Sequence, residues 1–286
     1  MPIDVPVGVI TKALLRPETY IGHAREVVNL AKAAATYPRG IFEAAISTGA
    51  KSGDERHDRP VILVHGYGHN RSGWFVLERQ LRAAGFTSIH TVNYNPLRED
   101  VPALAARLAD RVSLIRTLTG ADKVHIVGHS LGGVILRWYV QELGGDRNVD
   151  TAITVASPHH GTVTALAGSL TATGRELLPS SWLMRRLAQG VRLSPVRWIA
   201  YYSNIDLLVA PATSAMLTEP ALRAANVLLK DQGHLSIMLS PRLASSIVDQ
   251  LEAAGGGGAT MSGMHTAAVA RRDASHAAAG PARVAR

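Results

Sequence analysis

The chain contains no cysteine, which excludes structural disulfides, a thiol nucleophile and any thiolate metal site. No apolar run approaches the roughly 20 residues that a membrane-spanning helix requires. A secretory pattern is missing as well: Lys12 and Arg16 interrupt the apolar stretch from Val5 to Leu15, and no basic segment precedes it. These absences lead to the expectation of an uncleaved, non-spanning protein, cytoplasmic or peripherally associated with a membrane. Long basic runs are also lacking, although the 286 residues carry a net charge of +8. The excess is dispersed, with six Lys/Arg against four Asp/Glu in residues 1–53 and four Arg against one Asp in residues 253–286. Such dispersion argues against nucleic acid as a partner and leaves open a weak attraction to membrane surfaces. Nothing in the sequence sets the oligomeric state.

What is present is the material for a core. Hydrophobic residues make up 47% of the chain and charged residues 18%, and the length fits one α/β domain with extensions. Residues 1–53 read as an N-terminal helical extension, with a helical stretch over Thr19–Ala35 that Pro38 and Gly40 end. It is expected to pack on the body of the protein, the alternative being an amphipathic segment that touches lipid. The body spans 54–253. Val61–Val64 is a short, continuous apolar run, as expected of a strand buried on both faces of a parallel sheet. Further strands are predicted over 88–93, 123–127, 151–155, 198–203 and 227–230. Helices are predicted over 74–84, from the Asp100 cap to about 118, and over 131–143 and 241–253. Strands that alternate with helices make a mostly parallel sheet with helices on both faces. Residues 161–195 break the rhythm with a leucine-rich helical insertion, expected to form a cap. Residues 254–286, rich in Ala, Gly and Arg, hold too few large apolar side chains for a core and are expected to be a disordered tail.

The sharpest chemical signal is Gly128-His129-Ser130-Leu131-Gly132, a G-x-S-x-G pattern between a predicted strand and a predicted helix. A strand that turns at once into a helix holds the central serine in a strained backbone and leaves no room for side chains at positions 128 and 132, where glycine fits both. Ser130 is therefore the candidate nucleophile, and the Leu131 amide at the helix start is a candidate oxyanion donor. A second donor is expected from the loop after the first buried strand, His65-Gly66-Tyr67-Gly68, with Tyr67 placed between glycines. Loop packing is the preferred role for His65 and His69. A serine hydroxyl needs a base. Beyond residue 160 the histidines are His234, His265 and His276, and the last two fall in the tail, which leaves His234. Among the carboxylates between nucleophile and base, Asp206 follows a predicted strand end, where a residue that orients the base belongs. Asp231 stands too near His234 in sequence to serve. His159 and His160 are adjacent, a poor arrangement for one ion, and no acidic cluster accompanies them, so no metal is expected.

These blocks, with Ser157-Pro158-His159-His160-Gly161-Thr162, resemble bacterial lipases and esterases of the α/β-hydrolase superfamily, small lipases of the Bacillus lipase A type in particular. The resemblance implies an α/β-hydrolase fold, a Ser130–Asp206–His234 triad, an acyl-enzyme, and hydrolysis of small-molecule or lipid esters without a cofactor. The apolar insertion adds Leu166, Leu170 and Trp182 as expected substrate contacts. Two alternatives stand beside hydrolysis. One is an acyltransferase that uses the same triad; the other is an inactive binding protein of the same fold, against which the intact triad argues.

Overall fold

The computed structural model describes residues 37–40, 46 and 51–255. The helix expected over Thr19–Ala35 and the tail from residue 256 lie outside the described residues. Six strands form one parallel sheet: β1 Val61–Val64, β2 Ile89–Val92, β3 Val124–His129, β4 Val149–Val155, β5 Arg197–Tyr202 and β6 Ala225–Leu228. Their order is β2-β1-β3-β4-β5-β6. The chain thus runs outward from β1 to β2 and then crosses back to place β3 on the other side of β1. The crevice between β1 and β3, at the carboxyl ends of the strands, is where an open α/β sheet receives its ligand.

The apolar strand runs are explained by helices on both faces. Ile62 and Val64 of β1 join one core, with α3 Val101–Thr119, α4 Leu131–Glu142 and α6 Trp182–Gln189. Val61 and Leu63 point the other way, into a core closed by α2 Phe75–Ala83 and α7 Pro241–Gly255, with the one-turn helix α1 Glu55–Asp58 packed beside α7. All four residues are fully buried. The helix starts follow local capping chemistry. Asp100 accepts the Ala103 amide at 2.9 Å, and Gly120 ends the same helix with φ of 70°. A distant residue completes that N-terminus: Glu176, on the short helix α5 Ala172–Glu176, accepts the Val101 amide at 2.7 Å.

The insertion differs from the long helical unit that its leucines imply. It contains a 3-10 turn over Val163–Gly168, then α5, then α6. Leu177, Leu183, Met184 and Leu187 turn into the core, while Leu166, Leu170 and Trp182 remain exposed. On the N-terminal side, Gly40 is buried against the loop after β1, and its carbonyl accepts from Asn93 Nδ2 at 2.8 Å. Among the described residues, no helix is long and apolar enough to cross a membrane.

Candidate active site

Ser130 stands at the carboxyl end of β3, between that strand and α4. Its φ of 52° and ψ of −120° are costly for a residue with a side chain, and such geometry persists only where the surroundings enforce it. They do so here through close backbone packing. The Ser130 amide donates to the Val155 carbonyl of β4 at 2.8 Å. A Cβ at Gly132 would lie 2.2 Å from the Val64 carbonyl oxygen, so the helix start rests directly on the end of β1. Leu131 is the first residue of α4, and an amide at that position has no intrahelical acceptor.

The loops after β5 and β6, which carry Asp206 and His234, meet this turn. Asp206 is nearly enclosed, and each of its oxygens is committed. Oδ1 accepts the Leu208 and Val209 amides, both at 2.8 Å, while Oδ2 accepts from His234 Nδ1 at 2.8 Å. Because Nδ1 carries the proton, His234 Nε2 is left with its lone pair, the form a general base requires. The two loops are tied together a second time: Asn204 Oδ1 accepts the Asp231 amide at 2.9 Å, and Ser203 donates to the Gln232 carbonyl. Asp231 thus belongs to the loop's own scaffold, and the partner of His234 is Asp206.

His129 had drawn no attention in the sequence beyond its place in the motif. Its ring is completely buried 4.8 Å from that of His234, and its Nε2 lies 3.0 Å from the His234 carbonyl oxygen. A carbonyl only accepts, so His129 Nε2 is the protonated nitrogen. Burial, with the neighbouring His234 adding to it, holds His129 well below the usual imidazole range and keeps it neutral. The loop after β1, which carries Tyr67, is braced in a comparable way. The rings of His65 and Tyr94 stack with centroids 4.1 Å apart; the Tyr94 hydroxyl donates to the His65 carbonyl, and the Tyr94 amide donates to His65 Nε2 at 3.3 Å. Burial pushes the His65 imidazole down to about 4. At the next position, a Cβ on Gly66 would stand 2.9 Å from the Ser130 Cβ, so this loop and Ser130 pack in contact.

Tyr67, Ser130 and His234 line one cavity of about 770 Å³, a size typical of small-molecule sites. Its other walls include Ala165, Ala167, Leu177 and Val209, with Pro38 contributing from the N-terminal extension. Leu166, Leu170 and Trp182 do not line it. Leu166 and Leu170 point to solvent, and Trp182 packs edge-on against Trp138 with centroids 5.5 Å apart. Leu131 does not line the cavity either: its side chain is buried in the core, and what it offers the site is its amide at the start of α4. Among the described residues, no group of three or more His, Asp or Glu is placed to hold a metal ion. His159 is buried with Nε2 against Thr154 Oγ1 at 3.0 Å, whereas His160 Nε2 meets Thr218 Oγ1 at 3.1 Å, so the adjacent pair diverges.

Beneath the site lies a feature that only a lone charge in the apolar run of α4 could have signalled. Arg137 is fully buried. Its guanidinium meets Glu219 at 2.6 Å, the His159 carbonyl at 3.2 Å and the Leu187 carbonyl at 3.0 Å. It thereby joins α4, the loop after β4, the end of α6 and the segment before β6.

Comparison with known proteins agrees with this geometry. A model of the family described as "Palmitoyl protein thioesterase" matches residues 60–217, more than half of the chain. The matched span contains Ser130 and Asp206 and ends before His234. Similar solved structures include a Bacillus licheniformis lipase in mature form, with TM-score 0.58 and 19% identity, covering 74% of this chain and 97% of that one. Aspergillus fumigatus lipase B gives TM-score 0.62 and 22% identity, covering 76% of this chain and 56% of that one. A Paleococcus ferrophilus monoacylglycerol lipase gives TM-score 0.53 and 15% identity, covering 68% and 96%. At these identities the likeness is one of fold, and the fold is that of the α/β-hydrolases.

Proposed function

The chain belongs to the palmitoyl protein thioesterase family, and on that premise we propose that it cleaves acyl esters or thioesters in two steps, with Ser130 carrying the acyl group. The observation that supports this reading is the Asp206–His234 pair, whose His234 opens together with Ser130 onto one largely apolar cavity. His234 Nε2 takes the Ser130 proton as the serine oxygen attacks the acyl carbonyl. Negative charge on the carbonyl oxygen is met by the amides of Tyr67 and Leu131, the latter at a helix start where the dipole favours an anion. The carbonyl re-forms as the bond to the leaving oxygen or sulfur breaks, and His234 gives that atom the proton. Water then enters and loses a proton to His234, and its attack releases the acid and restores Ser130. Asp206 holds the imidazole in one tautomer and orientation throughout.

In this reading residues 54–253 are the catalytic domain and 161–195 its cap, with 1–53 and 254–286 as extensions. The cap's inward residues Ala165, Ala167 and Leu177 are the surface that receives the acyl chain. A fluorophosphonate probe should label the protein and fail to label Ser130→Ala. Turnover of ester and thioester pairs with acyl chains from acetyl to palmitoyl should rise with chain length. Absence of labelling would overturn the mechanism; labelling with a preference for acetyl would overturn the acyl-chain assignment alone.

A further inference from the structure

Around the mouth of the cavity, large apolar side chains face solvent. Leu170 is 94% exposed, Leu166 66%, Leu207 63%, Val163 53% and Leu208 50%. They come from two segments far apart in sequence that are fastened together: Thr162 Oγ1 and Thr164 Oγ1 both donate to the Leu208 carbonyl, at 3.0 and 2.5 Å, and the Val163 amide donates to the Ala210 carbonyl at 3.3 Å. Four of the five sit on the cavity wall or directly beside it in the chain. Leu208 lines the cavity and Leu207 precedes it; Val163 stands between the lining residues Thr162 and Thr164, and Leu166 between Ala165 and Ala167. Leu170 follows two residues after the lining Gly168. The exposed patch and the cavity are thus the two sides of one wall.

The chemistry of the patch selects its partner. No Asp, Glu, Lys or Arg occurs from Thr151 to Gly174 or from Leu207 to Thr218, so pressing this surface into an apolar medium strips water from no charge within either stretch. The five side chains are Leu and Val, with no aromatic residue and no Arg. Energetic centres of protein–protein interfaces are enriched in Trp, Tyr and Arg and poor in Leu and Val. The charge beside the patch is Arg175, whose Nη1 donates to the Ser169 and Leu170 carbonyls at 3.1 and 3.4 Å; the five side chains themselves form an aliphatic rim at the entrance of an acyl cavity, which is instead matched to a lipid surface. We propose that Val163, Leu166, Leu170, Leu207 and Leu208 dock the protein on a lipid surface, so that an acyl chain passes from the layer into the cavity without crossing water. This rests on the acyl-cleaving function proposed above.

The test is flotation of the full chain with neutral phosphatidylcholine vesicles at low and high salt. Binding should be present and nearly independent of salt, because no charge carries it. Leu170→Asp with Leu207→Asp should weaken partitioning by about a hundredfold, roughly tenfold for each leucine withdrawn from the apolar layer. Leu193→Asp is the control: that leucine is 72% exposed but precedes β5, at the opposite end of the strand from the acid loop, and its variant should float as the parent does. Thermal melts establish that each variant is folded. A parent that does not float, or a folded double variant that floats equally well, overturns the proposal. So does light scattering that shows a dimer in the parent and a monomer in the double variant, since the patch would then be a self-interface. Fluorophosphonate labelling of a parent that does not float would sink the docking surface and leave the catalytic reading standing.

Discussion

Asp206→Asn is the substitution that separates charge and tautomer from shape. Asp206 Oδ1 accepts two backbone amides at 2.8 Å each, and Oδ2 accepts one imidazole N–H at 2.8 Å. An asparagine must place its oxygen at one position and its NH2 at the other. With the NH2 toward Leu208 and Val209, donor faces donor twice in a buried loop, at about 1–3 kcal/mol for each amide left unpaired. With the NH2 toward His234, the two amides keep their acceptor and the imidazole has only to move its proton from Nδ1 to Nε2. The second arrangement wins by several kcal/mol on this count. It leaves His234 with a proton on the nitrogen that should receive one from Ser130. The expected loss in kcat is about 10⁴, the size found when the equivalent carboxylate is made an amide in another serine hydrolase. KM and the melting temperature should change little, since the cavity wall and the loop's hydrogen bonds persist. Initial rates on a soluble p-nitrophenyl ester would give kcat and KM. A loss of less than tenfold in kcat with folding intact would refute the assignment of Asp206 as the residue that orients the base.

Three further outcomes follow from the packing. Gly132→Ala forces a methyl group to within 2.2 Å of the Val64 carbonyl, a backbone atom that cannot swing away, so melting temperature and activity should both fall sharply in calorimetry and ester assays. Arg137→Met leaves Glu219 without its buried partner and should cost about 3–5 kcal/mol in urea unfolding, whereas Arg137→Met combined with Glu219→Leu should cost less than the single change. Stability should decline between about pH 6.5 and pH 4. Burial holds the imidazoles of His65 and His125 down to about 4 in the fold, so over that interval the unfolded chain binds protons that the native state refuses. Each histidine then contributes a slope of roughly 1 kcal/mol per pH unit, absent above 6.5 where both states are neutral, and urea midpoints measured across the range would show it.

The parallel sheet was legible because strands buried on both faces need an unbroken apolar run, and Val61–Val64 is one. The register of the elements around Ser130 was legible for a related reason: a turn that holds a serine at positive φ has no room for side chains two residues before it or two after, at Gly128 and Gly132, and that constraint lies within five consecutive positions. Boundaries shifted by a residue or two where hydrogen bonding outran the apolar pattern. The third strand, for example, extends through Gly128 and His129, which pair with Thr154 and Val155. His234 and Asp206 could be found by chain order and elimination. The pairing itself required the structure, since 28 residues separate the two.

Residues 161–195 show why the cavity wall was harder to read than the nucleophile. Leucine spacing there is compatible with a long amphipathic helix, yet the segment is anchored by partners that no local pattern announces. Thr173 donates to the Pro96 and Glu99 carbonyls, Glu176 accepts from Val101, and Thr162 and Thr164 donate to Leu208. These contacts divide the leucines between two destinations: Leu177 faces the cavity, while Leu166 and Leu170 face outward. Hydrophobicity alone gives both groups the same value, because it measures what leaves water and not which surface receives it. Leu166 and Leu170, expected as contacts for a bound substrate, therefore fall on the outer side of the wall, where an apolar side chain gains nothing until a second phase arrives. Under the proposed function the same residue type serves two steps, holding an acyl chain from within and meeting its source from without. Replacing Leu177 should alter chain-length preference for soluble esters, and replacing Leu170 should alter turnover only when the substrate is presented in a lipid layer. Equal effects of the two substitutions on both substrate forms, measured as kcat/KM, would show that the wall does not divide the two roles.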